Sequence, residues 1–272
     1  MSAEAIPSAP RDDYTQALVV DSLSVRFGGL LAIESMSFHV NEGEVLSLIG
    51  PNGAGKTTAF NAITGYLQPS RGEIRYRGEP LTGLPPNEIA ERGVIRTFQK
   101  TSVFGGETVL DNILIGLHRK SRQKAWQIIL GLPSVYREER QLRERAMEIL
   151  AFIGLEKRAG ELGAALPYGE QRLLEVAIAL AAEPTLLLLD EPVSGMNPSE
   201  TSSFMDKLAE IRKLDVTVLL VEHDMRMVMG VSDRVIVLNQ GRIIADGAPE
   251  DVQNNPDVIR AYLGDRYQRA EG

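Results

Sequence analysis

The chain has 272 residues, enough for one large or two small domains, and its 43% hydrophobic and 24% charged content is that of an ordinary globular protein. It has no cysteine, which excludes disulfides and thiolate metal sites and fits a reducing compartment. Its net charge of −8 disfavours non-specific binding to nucleic acid or an anionic bilayer, so membrane association is expected to run through a protein partner.

In chain order, Met1 to about Gln16 lacks an apolar stretch and reads as a disordered tail, not a signal peptide. Ala17 to Val25 reads as extended, and Met36, Phe38 and Val40 alternate with polar residues as in a half-buried strand. Asn41 to Glu44 is a turn. The short apolar strand Val45 to Ile49 then runs directly into a glycine-rich loop and a helix from about Lys56 to Thr64, ended by Gly65.

Further strands are expected at Glu73 to Arg77, Val94 to Thr97, Leu186 to Leu189, Val216 to Val221 and Arg234 to Leu238. Several are continuous β-branched or leucine runs, which suit a sheet covered on both faces. From roughly residue 101 to 183 the period becomes helical: Leu142, Ala146, Ile149, Leu150 and Ile153 share a face, as do Leu173, Val176, Ala177 and Leu180. This stretch reads as a helical subdomain inserted into an α/β domain that spans residues 17–264. Asn197-Pro198-Ser199-Glu200 should start another helix, running to about Lys213. A short helix is expected around Ile259 to Leu263, and residues 265–272 form a C-terminal tail. The most apolar run, Leu173 to Leu189, is broken by Glu175, Glu183 and Pro184 and falls short of the roughly 20 apolar residues of a membrane-spanning helix.

The loop Gly50-Pro51-Asn52-Gly53-Ala54-Gly55-Lys56-Thr57 matches GxxxxGK[ST] between a strand and a helix. Its glycines let successive N–H groups converge on phosphate oxygens at a helix N-terminus, Lys56 can reach the β- and γ-phosphates, and Thr57, followed by Thr58, offers a hydroxyl to Mg²⁺. Asp190-Glu191 ends the four-leucine strand. There Asp190 can hold a metal's water shell and Glu191 can act as general base toward the water that attacks the γ-phosphate. His223, in Glu222-His223-Asp224, follows a third apolar strand.

These motifs, in this order, resemble those of ABC ATPases from about Leu18 to Leu263. The resemblance implies a P-loop NTPase fold of that type: a mixed sheet core, the inserted helical subdomain and an N-terminal antiparallel β region. The cofactors it implies are ATP and Mg²⁺. It places His223 at the γ-phosphate, Gln99 at Mg²⁺, and Phe27 against adenine, although a core role for Phe27 stands beside the last. Leu166-Pro167-Tyr168-Gly169-Glu170 corresponds to the family's LSGGQ signature, which caps the nucleotide held by a second ATPase subunit. Pro167 departs from that pattern, offering neither hydroxyl nor N–H, and either weakens the cap or merely sets the approach to the following helix. Asn197 replaces the more usual aspartate in the loop that crosses the dimer interface.

Within the family, Gly28–Val40 (GGLLAIESMSFHV), the glycine-loop region through Ile74, YGEQRLLEVA from Tyr168 and NNPDVIRAYLG from Asn254 are similar to ATPase subunits of importers for branched-chain and other hydrophobic amino acids. The implied assembly has a second ATPase subunit, identical or not, two integral membrane permease subunits and, indirectly, a solute-binding protein, with no nucleic acid. Its ATPases are peripheral at the cytoplasmic face of the inner membrane. Lys100 to His118 lies where permeases dock, unless its apolar residues are simply a buried helix. Urea or amide importers and a lipopolysaccharide exporter use similar ATPases. A soluble ABC ATPase of translation or DNA repair is less compatible, since there is one glycine loop, no internal repeat and no sustained heptad.

Overall fold

The computed structural model describes residues 15–97, 103–117 and 133–262. Two sheets organise them. One is antiparallel, in the order β2-β1-β4-β5, from β1 (Gln16–Phe27), β2 (Leu30–Asn41), β4 (Arg71–Tyr76) and β5 (Glu79–Pro80). Strand β1 begins at Gln16, inside the segment expected to be a tail.

The second sheet has the order β10-β9-β3-β8-β7-β6. Its strands β6 (Val94–Arg96), β7 (Leu186–Asp190), β8 (Thr217–Val221), β3 (Val45–Ile49) and β9 (Arg234–Asn239) pair in parallel, and β10 (Arg242–Gly247) closes one edge antiparallel to β9. The apolar runs are continuous because each face of this sheet is covered. Leu186 and Leu188 of β7, with Leu219 and Val221 of β8, enter the core shared with the antiparallel sheet, whereas Leu187, Leu189, Val218 and Leu220 enter a core roofed by helices.

The helices are α1 (Lys56–Ile63), α2 (Pro86–Glu91), α3 (Val109–Leu117), α4 (Pro133–Ile153), α5 (Tyr168–Ala181), α6 (Pro198–Arg212), α7 (Met225–Val231), α8 (Pro249–Gln253) and α9 over residues 256–262. Helices α3, α4 and α5 share a separate core in which Ala146, Ile149, Leu150 and Ile153 lie buried, as their spacing predicts. Helix α5 corrects another expectation. Ala177 turns with Leu174 and Ala181 into that helical core, while Val176 and Ala179, flanked by Leu173 and Leu180, pack against the sheet. The helix is apolar on two sides because it lies between two layers.

Parallel strands put their carboxyl ends on one edge, and this positions the site. Leu48 of β3 and Asp190 of β7 both align with Val221 of β8, so the glycine loop, the acidic pair and the histidine segment leave the sheet side by side. Among the described residues no helix is long and apolar enough to cross a membrane.

Candidate nucleotide site

Between β3 and α1 the backbone makes the site. Gly50 has φ of +148°, and a Cβ there would lie 2.0 Å from the Leu238 carbonyl oxygen, so only glycine lets the loop press against β9. The Gly241 N–H donates to the Ala54 carbonyl (2.9 Å), fixing the loop from the β9–β10 turn. Helix α1 then starts from Gly55, which has no side chain to cap it, and has no acidic residue in its first turn, which favours an anion at its backbone N–H groups and the positive end of the helix dipole. Lys56, only 8% exposed, donates through Nζ to the carbonyls of Gly50 (2.6 Å) and Pro51 (3.1 Å).

A cleft of about 700 Å³ opens over this loop. It is lined by residues 52–58, by Phe27, Leu30 and neighbours from the β1–β2 hairpin, by Gln240 and by Glu191. Thus Asn52, Gly53, Ala54, Gly55, Lys56, Thr57 and Thr58 come together with Glu191 and Phe27, and Pro51 holds Lys56 from beside them. Phe27 is 49% exposed, so the alternative of a core role does not hold. Its ring stands at the cleft because the Gly28-Gly29 turn that follows carries it to the end of the hairpin.

Asp190 and Glu191 separate at the end of β7. Asp190 is buried, and its Oδ2 accepts from Arg96 Nη2 at 2.7 Å, while Arg96 Nη1 donates to Asn61 of α1 at 2.7 Å. Asp190 Oδ1 is also buried and has no hydrogen-bond partner among the described residues. Glu191 departs from strand geometry with φ of +48°, a left-handed conformation costing about 1–3 kcal/mol for a residue with a side chain. Its N–H donates to the Val221 carbonyl (2.8 Å), which holds that conformation, and its side chain reaches the cleft. His223 leaves β8 at the same edge, with a side chain 60% exposed and outside the cleft lining. Gln99 lies outside the described residues.

The signature segment forms the start of α5. Pro167 is its N-cap residue, with no side-chain cap. Gly169 is buried, and a Cβ there would come within 2.9 Å of the Glu200 carboxyl group, so α5 packs closely on the start of α6. Tyr168, 41% exposed, donates its hydroxyl to the Ser194 carbonyl (2.9 Å) and accepts from Arg172 Nε (3.0 Å). Burial works to lower the Arg172 pKa, but its bonds to Glu175 and Tyr168 outweigh this and hold it above the usual arginine range. Leu166 is buried beneath the loop in the helical core, and Glu170 pairs with Arg158 at 2.7 Å. Asn197 forms the expected capping box with Glu200.

Sequence reasoning passed over three sets of residues here. Arg96 is a lone charge in an apolar strand, and Glu222 is an acid directly after five buried residues; both patterns were visible signals. Leu30 and Gln240 carried none, since only the folded chain brings the hairpin and the β9–β10 turn to the glycine loop.

Among the described residues no group of three or more histidine, cysteine or acidic side chains could hold a metal. The donor set fits a Mg²⁺ that is held by one carboxylate, a hydroxyl and substrate phosphates, and the unpartnered Asp190 Oδ1 suits a metal-bound water.

Comparison with known proteins gives the chain's family. Residues 33–194 match the ABC transporter family, and residues 242–268 match a family described as branched-chain amino acid ATP-binding cassette transporter. The high-affinity branched-chain amino acid transport ATP-binding protein LivG of Salmonella typhimurium is 46% identical, over 91% of this chain and 98% of its own. The corresponding protein BraF of Pseudomonas aeruginosa is 45% identical over 91% and 98%. The lipopolysaccharide export system ATP-binding protein LptB of Haemophilus influenzae is 33% identical over 92% and 98%. Among solved structures, an ATP-binding cassette of an ABC transporter in its ADP conformation superposes with a TM-score of 0.81 at 30% identity, covering 92% of this chain and 99% of that one. With its glycine loop, its acidic strand end and the family match across both, the chain belongs to the ABC transporter family as an ATP-binding cassette.

Proposed function

We propose that this ABC ATPase powers an importer for branched-chain or other hydrophobic amino acids, binding and hydrolysing ATP in the cleft between the glycine loop and Glu191. The convergence of Lys56, Thr57 and Glu191 on one cleft carries the catalytic reading. The 46% identity to an amino acid transport ATPase and the match of residues 242–268 support the solute class, over the lipopolysaccharide relative at 33%.

The N–H groups of the glycine loop and the start of α1 receive the phosphates, and Lys56 adds a positive charge beside them. Phe27 offers its exposed ring to the adenine. Thr57 and Asp190 would hold Mg²⁺, with Gln99 as a further contact; the ion supplies neutralisation of the phosphate charge. Glu191 takes the proton of the attacking water, and His223 holds the γ-phosphate in line with it. A second ATPase subunit is assigned to close the cleft with its own signature loop, while residues 166–170 of this chain serve the partner's site. Two permease subunits would anchor the pair as peripheral proteins at the cytoplasmic face of the membrane, with a solute-binding protein delivering the amino acid.

Glu191→Gln should lower ATP turnover at least about a hundredfold while ATP still binds, measured as phosphate release beside equilibrium binding. An unchanged rate removes Glu191 as the base. Affinity purification from detergent-solubilised membranes should recover two membrane subunits and a second ATPase, and recovery with a ribosome or DNA would refute transport.

A further inference from the structure

Glu222 has no part in the scheme above, yet it is the most completely buried acid near the cleft. It is 0% exposed, at the point where β8 ends between the glycine-loop strand and the strand of Asp190. Burying a carboxylate is costly unless hydrogen bonds replace its water, and here backbone donors from two separate segments do so. Oε1 accepts from the N–H of Val193 at 3.1 Å, in the turn that follows Glu191. Oε2 accepts from the N–H of His223 at 2.8 Å and of Asp224 at 3.2 Å. The His223 Nδ1 stands 3.6 Å from the same oxygen.

The neighbouring contacts continue this clamp. The Glu191 N–H donates to Val221, one residue before Glu222, and Asp224 caps α7 by accepting from the Met227 N–H. Each oxygen of one side chain therefore serves a different segment, the first the loop that carries the acid, the second the loop that carries the histidine.

We propose that Glu222 is a positioning residue for ATP hydrolysis: its buried carboxylate ties the turn after Glu191 to the backbone of His223 and holds those two groups in one register. This rests on the reading of Glu191 as base and His223 as γ-phosphate contact. Glu222 never meets the nucleotide, and it acts through the backbone of both.

Glu222→Gln keeps the volume but turns an amide N–H₂ toward one set of N–H donors, so one of the two ties must open. Single-turnover hydrolysis in the assembled transporter should fall at least about tenfold, with ATP affinity within about twofold of the parent. Glu222→Asp, which keeps the charge but falls one methylene short of spanning both segments, should also lower turnover and serves if the first variant folds poorly. Amide exchange at Val193 or at His223 and Asp224 should accelerate in either variant. Added to His223→Ala, Glu222→Gln should cost less than it does in the parent, because the part of its effect that runs through His223 is already lost and only the part that runs through the turn after Glu191 remains. Unchanged turnover, a loss that merely tracks ATP affinity or melting temperature, or a full-sized further loss in the His223→Ala background would overturn the proposal. Glu191→Gln measured alongside separates the two levels: if it keeps full turnover, Glu191 is not the base and the scheme for the site fails, and if it loses turnover, the Glu222 variants test the positioning role alone.

Discussion

The starts of α1 and α5 make an instructive pair. Neither has a side-chain cap, whereas α6 and α7, which follow the carboxyl ends of β7 and β8, are capped by Asn197 and Asp224. At α1 the uncapped N–H groups face a cleft of the chain's own making, walled by the hairpin, the β9–β10 turn and Glu191. At α5 the flanking Pro167 and Tyr168 are exposed, and the loop is braced from behind by Tyr168 on Ser194 and by Gly169 on Glu200. Similar local chemistry thus stands in two settings: one helix start is enclosed, the other is presented. The first is fixed by the parallel sheet, and the second by its grip on the start of α6.

The sharpest way to break the enclosed end is Gly50→Ala. The new Cβ meets a backbone oxygen at 2.0 Å, so the loop must shift as a whole. Destabilisation on the order of 4 kcal/mol in denaturant unfolding and loss of ATP binding are expected. Arg96→Met tests the same end from below. It strips the ion pair from Asp190, whose side chain is only 1% exposed, and should cost about 3–5 kcal/mol; pairing it with Asp190→Asn should cost less than the sum of the two.

At the presented end the effects should be smaller and should need the partner. Pro167→Ser restores a hydroxyl and an N–H. If the proline weakens closure over the partner's nucleotide, the assembled complex should gain affinity by about 1.5–3 kcal/mol, the scale of a hydrogen bond to a charged group. No change in ATPase rate or nucleotide affinity would leave Pro167 as an approach to the helix only. Tyr168→Phe removes the bond to Ser194 and the acceptor for the buried Arg172 Nε, and should cost about 1–3 kcal/mol in the stability of the isolated chain. Its turnover should fall only in the assembled complex; a matching fall in ATP binding by the isolated chain would show that the two ends are not separate.

The glycine loop, the acidic strand end and the Asn197 cap were legible in the chain before folding, because each is a contiguous pattern whose chemistry is local: phosphate-binding N–H groups, a carboxylate after a buried strand, a cap with its reciprocal acid. The alternation of the leucine strands was equally legible, since a period of two divides a continuous apolar run between two faces. What lies across gaps in the chain came from the fold. It brought Phe27 and Gln240 to the cleft and set Arg96 on Asp190 from 94 residues away. It split the apolar face of α5 between two cores and gave Glu222 backbone partners on two strand ends. Burial, and the pairing it demands of every charge, depends on which strands become neighbours, and the order β3-β8-β7-β6 is a property of the folded sheet that no local pattern encodes.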